Sequence, residues 1–293
     1  MNRRKFLWTF IPSFILPEML WQNLTQAIGM NPNSNESICK QKYEFAASLK
    51  LFEKPIGEIV VEIAKSFLGV EYAADTLEAP GKEQLVVNLQ SFDCVTLYEN
   101  SLVLARCIKK KITTFDEFKK ELQFVRYRGG LLDGYLSRLH YTSDYIFDNV
   151  SKGVLKDVTK EIGGVMFQKK INFMSTHPES YPRLKELPEN IPALQKIEDE
   201  INQREMFYIP KSRVKRVASK IHNGDILGIT TTIDGLDCSH TGIAIWRNGK
   251  LYMLHAPVPG KKVQITDLTL WEYLTAIKKD TGIMVARPLE PKV

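Results

Sequence analysis

Four cysteines, Cys39, Cys94, Cys107 and Cys238, are too few to staple a 293-residue chain with disulfides. If one of them must stay a free thiol, the other three cannot all pair within the chain. Long hydrophobic runs are also lacking. The most apolar stretch, Phe6 to Leu20, is broken by Pro12 and Pro17 and falls short of the roughly 20 residues that a membrane-spanning helix needs. Zinc-finger spacing is absent, as is the aromatic and basic patterning of a nucleic-acid-binding sheet. The net charge of +6 is mild and dispersed. The tight basic run Lys109-Lys110-Lys111 reads as a solvated helix end. These absences exclude a disulfide scaffold and a dedicated nucleic-acid binder. No internal repeat or low-complexity tract is found, which excludes a solenoid. What remains is an ordinary globular composition, with 44% hydrophobic and 25% charged residues. The length suffices for a large core, in one domain with insertions or in two.

The chain divides by composition. Residues 1–30 read as an export signal or N-terminal hydrophobic segment: Arg3-Arg4 followed by Phe6-Leu7 is similar to a twin-arginine signal, and Thr25-Gln26-Ala27 is a candidate cleavage site. That implies a periplasmic or cell-envelope protein. No cysteine follows closely, so a lipid anchor is not supported. Residues 31–41 read as a polar linker and 42–293 as a single domain. Apolar spacing predicts a helix from Ile56 to Leu68 closed by Gly69, and another over Thr113–Val125 with Thr114 as cap. Residues 113–205 read as a helical insertion. From Met206 the pattern turns to strands, at 206–209, 226–232, 239–246, 251–255 and 283–286, with a helix over 268–278. The fold class expected is α+β.

The stretch before Val95 concentrates the chemistry. A strand-like run, Leu85 to Leu89, leads into Ser91-Phe92-Asp93-Cys94, and a helical pattern follows at Val95, Tyr98, Leu102 and Ala105. Cys94 therefore falls in a helix first turn, behind a cap at Ser91 or Asp93. The helix dipole and free N–H groups there favour a thiolate, as a nucleophile requires. A small buried residue is the alternative reading, since free cysteine is among the most buried types.

A hairpin supplies partners. Asn248-Gly249 between two strand patterns predicts a two-residue type I′ turn. Arg247 then faces Lys250, and Gly242 faces His255. His240, two residues from Gly242, shares its sheet face, so His240 and His255 become diagonal neighbours about 7–8 Å apart. Gly242 is expected to leave space opposite His255. The Thr241, Ile243, Ile245 face is expected to pack on a core, and the histidine face to receive the Cys94 helix end. A thiol beside such a pair fits acyl transfer, with His240 as base, His255 as its orienter, and the Cys94 N–H plus a donor such as Tyr72 for the oxyanion.

These residues resemble the NlpC/P60 superfamily of papain-like cell-wall peptidases and amidases. The matches are Gly69–Tyr72, Asp93-Cys94, His240-Thr241-Gly242-Ile243 and His255-Ala256, with Asn223-Gly224-Asp225-Ile226 similar to a strand entry. Ser91–Thr96, Arg138–Tyr141 with Asp144, and Ser239–Ala244 look like the DUF1460 branch. The resemblance implies a papain-like core, an antiparallel sheet packed on a cysteine-bearing helix. It implies an N-acetylmuramoyl-L-alanine amidase that cleaves muropeptides, anhydro forms included, between the sugar's lactyl group and L-Ala. Cys94, His240 and His255 become its catalytic set. Tyr72, Asp93, Arg138, His140, Tyr141 and Ser239 become oxyanion or substrate contacts, Arg138 for a stem-peptide carboxylate. The alternative bond is the D-Glu–diamino-acid link cut by endopeptidases of the same fold. The family loop after the tyrosine is glycine-rich, whereas Ala73-Ala74-Asp75 stands here.

No cofactor, metal or stable protein partner is implied, and a monomer acting on peptidoglycan fragments is expected. Two rivals differ in class. Strict alternation puts Cys238, His240 and His255 on one face, a candidate zinc set. A non-catalytic glycan- or peptide-binding module on the same fold is the other.

Overall fold

A computed structural model describes residues 31–258 and 261–292. The export-signal segment, 1–30, lies outside them. Among the described residues no helix is long and apolar enough to cross a membrane.

The first helix, α1 (Asn35–Ser48), begins inside the stretch expected to be a linker. Ser34 caps it, accepting from the Ser37 N–H. Cys39, Tyr43 and Ala46 carry it into the core, so the folded unit starts near residue 34, not 42. The Asn35 amide donates to the Val87 carbonyl and accepts from the Leu89 N–H, both at 2.8 Å. Residues 85–89 are therefore held as an extended segment by side chains and do not form the expected strand. Helix α2 (Ile56–Lys65) stops earlier than expected, at a Ser66 cap. Gly69 keeps a positive φ of 86° but donates its N–H to Val263.

Helix α3 (Cys94–Lys110) is the centre of the molecule. Leu97, Leu102, Val103, Leu104 and Ala105 are all fully buried, and Thr96, Glu99, Asn100, Ser101 and Arg106 are buried with them, so the helix is enclosed nearly all round, as a core helix is. Each buried leucine contributes about 1.5–3 kcal/mol. Its buried charges are paired: Glu99 takes two bonds from Arg126, and Arg106 meets Glu121. Around it pack α2, α4 (Phe115–Arg126, capped by Thr114) and α5 (Thr142–Ser151). The segment expected to be an insertion adds β1 (Leu155–Asp157), β2 (Val165–Met166), α6 (Phe173–Thr176), α7 (Pro182–Glu186) and α8 (Ile191–Asn202). Ile171, Met174, Leu184 and Leu194 join it to the same core.

The rest of the chain builds the sheet: β3 (Phe207–Pro210), α9 (Lys211–Val217), β4 (Ile226–Thr231), β5 (Cys238–Arg247), β6 (Lys250–His255), β7 (Gln264–Ile265), α10 (Leu270–Ala276) and β8 (Asp280–Pro288). Its order is β2-β3-β8-β4-β5-β6-β7, antiparallel throughout, with β1 also on β8. The expected α+β class is what forms. Ile226, Ile243, Ile245 and Met284 face the α3 side. Leu227, Ile229, Ala244 and Met253 face α9 and α10 in a second core. At the turn before β4, Gly224 has φ 82°, and a Cβ there would lie 2.5 Å from the Gly57 Cα, so only glycine lets α2 sit this close.

Candidate active site

Asp93 is the cap of α3, not Ser91, whose hydroxyl is taken by Asn88. Asp93 Oδ1 accepts from the Val95 N–H at 3.0 Å, the Thr96 N–H at 2.7 Å and the Thr96 hydroxyl at 2.8 Å. The Thr96 hydroxyl in turn accepts from the Asp93 N–H at 2.9 Å, closing a capping box. This fixes Cys94 as the first helical residue.

The helix start docks on β5 through the Thr241 hydroxyl, which donates to the Cys94 carbonyl at 2.8 Å. Thr241 is the neighbour of His240, so the backbone of Cys94 meets the strand that carries His240, 146 residues away in the chain. The body of α3 lies on the isoleucine face. The expectation that the histidine face receives the helix is thus corrected: large β-branched side chains gave the bigger apolar surface, and α3 covers it.

The hairpin forms as expected. Asn248 and Gly249 both have positive φ, at 50° and 71°, and the ladder runs from Arg247↔Lys250 to Ile243↔Leu254. That register brings His240 Nε2 to 2.8 Å from His255 Nδ1. The space at Gly242 is filled. A Cβ there would meet Met253 Cγ at 2.4 Å, because the methionine folds back across the strand.

Strict alternation fails at Ser239. Ile229 pairs with His240, but Thr230 pairs with Cys238, so Ser239 is the extra residue of a β-bulge. The bulge turns Cys238 to the α3 side, where it lines the space beside Gly228. His240 remains on the other face, opposite Ile229. The zinc set that required both on one face is therefore not assembled. Among the described residues no group of three His, Cys, Asp or Glu side chains could hold a metal.

Electrostatics also differ from expectation. Burial pushes the Cys94 thiol up to about 11, and the Asp93 carboxylate adds to this. Contacts with Thr241 and with Cys94's own N–H pull the other way and lose. The residue keeps some exposure while its sulfur lies among packed atoms. Burial lowers His240 to about 4, helped by Lys279, and lowers His255 to about 3. At neutral pH the site therefore holds a thiol beside two neutral imidazoles. Burial outweighs the hydrogen bonds that favour the thiolate.

The remaining expected site residues divide. Tyr72 is half-buried beside Cys94 and Asp93, bridged to Phe92. Burial, with those two neighbours, raises its phenol to about 12, so it stays a hydrogen-bond donor. Ser239 has a buried hydroxyl without a hydrogen-bond partner among the described residues. Arg138, His140 and Tyr141 are framework instead. Arg138 is 4% exposed, bound to Glu78 and to the Leu77 carbonyl, and holds the 77–83 loop. His140 gives its Nε2 to the Tyr135 carbonyl at 2.9 Å. The Tyr141 hydroxyl donates to Glu198 and accepts from the Met174 N–H. These bonds turn inward to the protein, while Arg138 Nε has no hydrogen-bond partner among the described residues. Sequence reasoning missed Thr241, although its place between His240 and Gly242 was visible. It also missed Tyr273 of α10, whose ring lies 5.5 Å from that of His255 at 86°.

An antiparallel sheet carrying a histidine pair, with a thiol opening its central helix, marks an α+β hydrolase. The family follows from comparison with known proteins. The family model described as AmiA-like, N-acetylmuramoyl-L-alanine amidase-like, matches residues 62–283, and the chain belongs to that family. Among solved structures, it is similar to an N-acetylmuramoyl-L-alanine amidase from Bacteroides uniformis, at 38% identity and TM-score 0.76, over 80% of this chain and 98% of that one. A putative xylanase from Bacteroides fragilis matches at 39% identity and TM-score 0.72, over 76% and 98%. A DUF1460 protein from Legionella pneumophila, at 24% identity and TM-score 0.68 over 87% and 94%, shares the fold. A search of curated proteins finds no match.

Proposed function

We propose that this amidase-like hydrolase is a cysteine amidase of the NlpC/P60 kind, cutting (anhydro)muropeptides between the N-acetylmuramoyl lactyl group and L-Ala. Two observations support the reading: the Thr241 hydroxyl, one residue from His240 in the chain, donates to the Cys94 carbonyl at the start of α3, and His240 Nε2 lies 2.8 Å from His255 Nδ1.

The chemistry starts from neutral groups. His240 donates its Nε2–H to His255 Nδ1, which leaves Nδ1 of His240 as the acceptor. The Cys94 proton moves to that nitrogen as sulfur attacks the lactyl carbonyl. The carbonyl π pair goes to oxygen, which the Cys94 N–H and the Tyr72 hydroxyl stabilise. His240, whose burial makes its imidazolium strongly acidic, returns the proton to the L-Ala nitrogen. The C–N bond breaks and a thioester remains. Water, deprotonated by His240, then releases the muramic acid and restores the thiol.

The test is incubation with one defined disaccharide tetrapeptide and its anhydro form, with products read by mass spectrometry. Free stem peptide from wild type and none from Cys94→Ala supports the reading. Cleavage only after D-Glu assigns the endopeptidase reaction instead, and no cleavage of either sugar form overturns the enzyme reading. Export rests on Arg3-Arg4 and the apolar run behind it. Recovery of the protein only in the cytoplasmic fraction of expressing cells would refute it.

A further inference from the structure

His255 is 2% exposed, and its Nε2 has no hydrogen-bond partner among the described residues. That vacancy is coupled to the proposed chemistry. For His240 Nδ1 to accept the thiol proton, its proton must sit on Nε2 and point at His255 Nδ1. A neutral His255 that accepts at Nδ1 must carry its own proton on Nε2. The required tautomer thus aims an N–H into a buried place with no hydrogen-bond acceptor among the described residues. The opposite tautomer, with His255 Nδ1–H donating to His240 Nε2, leaves no orphan donor but gives His240 Nδ1 a proton and abolishes the base. Left to these contacts alone, the wrong tautomer would be favoured, since an unpaired buried donor is costly.

One group stands where it could reverse that preference. The Tyr273 ring meets the His255 ring edge to face, at 5.5 Å between centroids and 86° between planes. Tyr273 is fixed there by α10, whose capping box joins Thr269 and Glu272. An aromatic face accepts an N–H weakly but without needing a lone pair. We propose that Tyr273 is a positioning residue that receives the His255 Nε2–H on its ring, and so holds both histidines in the tautomer the base requires. This rests on His240 being the base. The hydroxyl of Tyr273 plays no part, which separates the proposal from a hydrogen-bond role.

The experiment compares wild type, Tyr273→Phe and Tyr273→Leu, each first checked for native circular dichroism. Nitrogen-15 imidazole spectra at pH 7 should give His255 protonated on Nε2 in wild type and Tyr273→Phe. Tyr273→Leu should show a mixture, with kcat lower by about three- to five-fold, the scale of an N–H···π contact, and KM unchanged. A wild-type His255 protonated on Nδ1 overturns the proposal without any variant. So does Tyr273→Leu with wild-type tautomer and kcat, or Tyr273→Phe as impaired as Tyr273→Leu. Because the spectra need no turnover, absence of amidase activity would refute the proposed function and leave this proposal separately judged.

Discussion

Asp93 caps the helix that Cys94 opens and raises the pKa of its thiol, and two substitutions separate these effects. Asp93→Ala removes the acceptor for two backbone N–H groups and the Thr96 hydroxyl. Losing such a cap costs about 0.5–2 kcal/mol. The helix start is packed against β5, so the upper half of that range applies, and the melting temperature should fall by roughly 2–4 °C per kcal/mol. Asp93→Asn keeps a capping oxygen, since asparagine caps as well as aspartate, and loses only the favourable charge at the helix N-terminus, about 0.3–1 kcal/mol. Its larger effect is on the thiol. The carboxylate adds to the burial that lifts Cys94 to about 11, so its removal lowers that value. The assay is the rate of Cys94 alkylation from pH 7 to 11, in a background where Cys39, Cys107 and Cys238 are replaced by alanine. Asp93→Asn should react faster at pH 8. The gain is partial, because a less basic thiolate is also less nucleophilic, with a Brønsted slope of about 0.4–0.5. An alkylation midpoint in Asp93→Asn equal to or above the wild-type value would refute the electrostatic argument. Equal melting of Asp93→Ala and wild type would refute the capping argument.

Two further predictions follow from buried charge. Glu99 and Arg126 are 2% and 3% exposed at the side chain, and Arg126 also donates to the Val86 carbonyl. Glu99→Ala leaves a guanidinium uncompensated and should cost about 3–5 kcal/mol in urea unfolding, whereas Glu99→Leu with Arg126→Met should recover much of it; additive losses would count against a coupled pair. Burial holds His140 at about 3, His240 at about 4 and His255 at about 3, below the ordinary 6.5. Between those values the unfolded chain binds more protons, so stability is present above pH 6.5 and is lost as pH falls towards 4. Asp280, raised by burial to about 6, and Glu83 and Asp237, also raised by burial, oppose this, whereas Glu121, held down against burial by Lys110 and Arg106, acts with the histidines. A urea midpoint that does not fall from pH 6.5 to 4 would contradict it. Activity should fail only near pH 4, and Lys279→Gln should move that limb upward by removing a charge that disfavours imidazolium.

Local signals carried far into the fold. Asn248-Gly249 set the hairpin register, and through it the contact of His240 with His255. Thr114 and Asp93 marked helix starts because capping is a two- or three-residue interaction. What sequence did not disclose depends on packing between distant segments. The bulge at Ser239 has no glycine or proline to announce it, yet it reverses the face of Cys238. Met253 filling the Gly242 space is a side-chain direction, which alternation does not specify. The raised Cys94 thiol comes from the depth of its burial, and first-turn position says nothing about depth. Arg138 looked available because Glu78, which engages it, lies 60 residues away.

The Asn35 amide, bonded on both sides to Val87 and Leu89, sets a limit on maturation. Trimming of the chain up to Thr25-Gln26-Ala27 leaves the bracket and its Ser34 cap intact. A protease cutting beyond Asn35 would free the segment that delivers Cys94 to β5, although every catalytic side chain would survive the cut. The N-terminal limit of the folded unit is therefore set by an asparagine in its first helix.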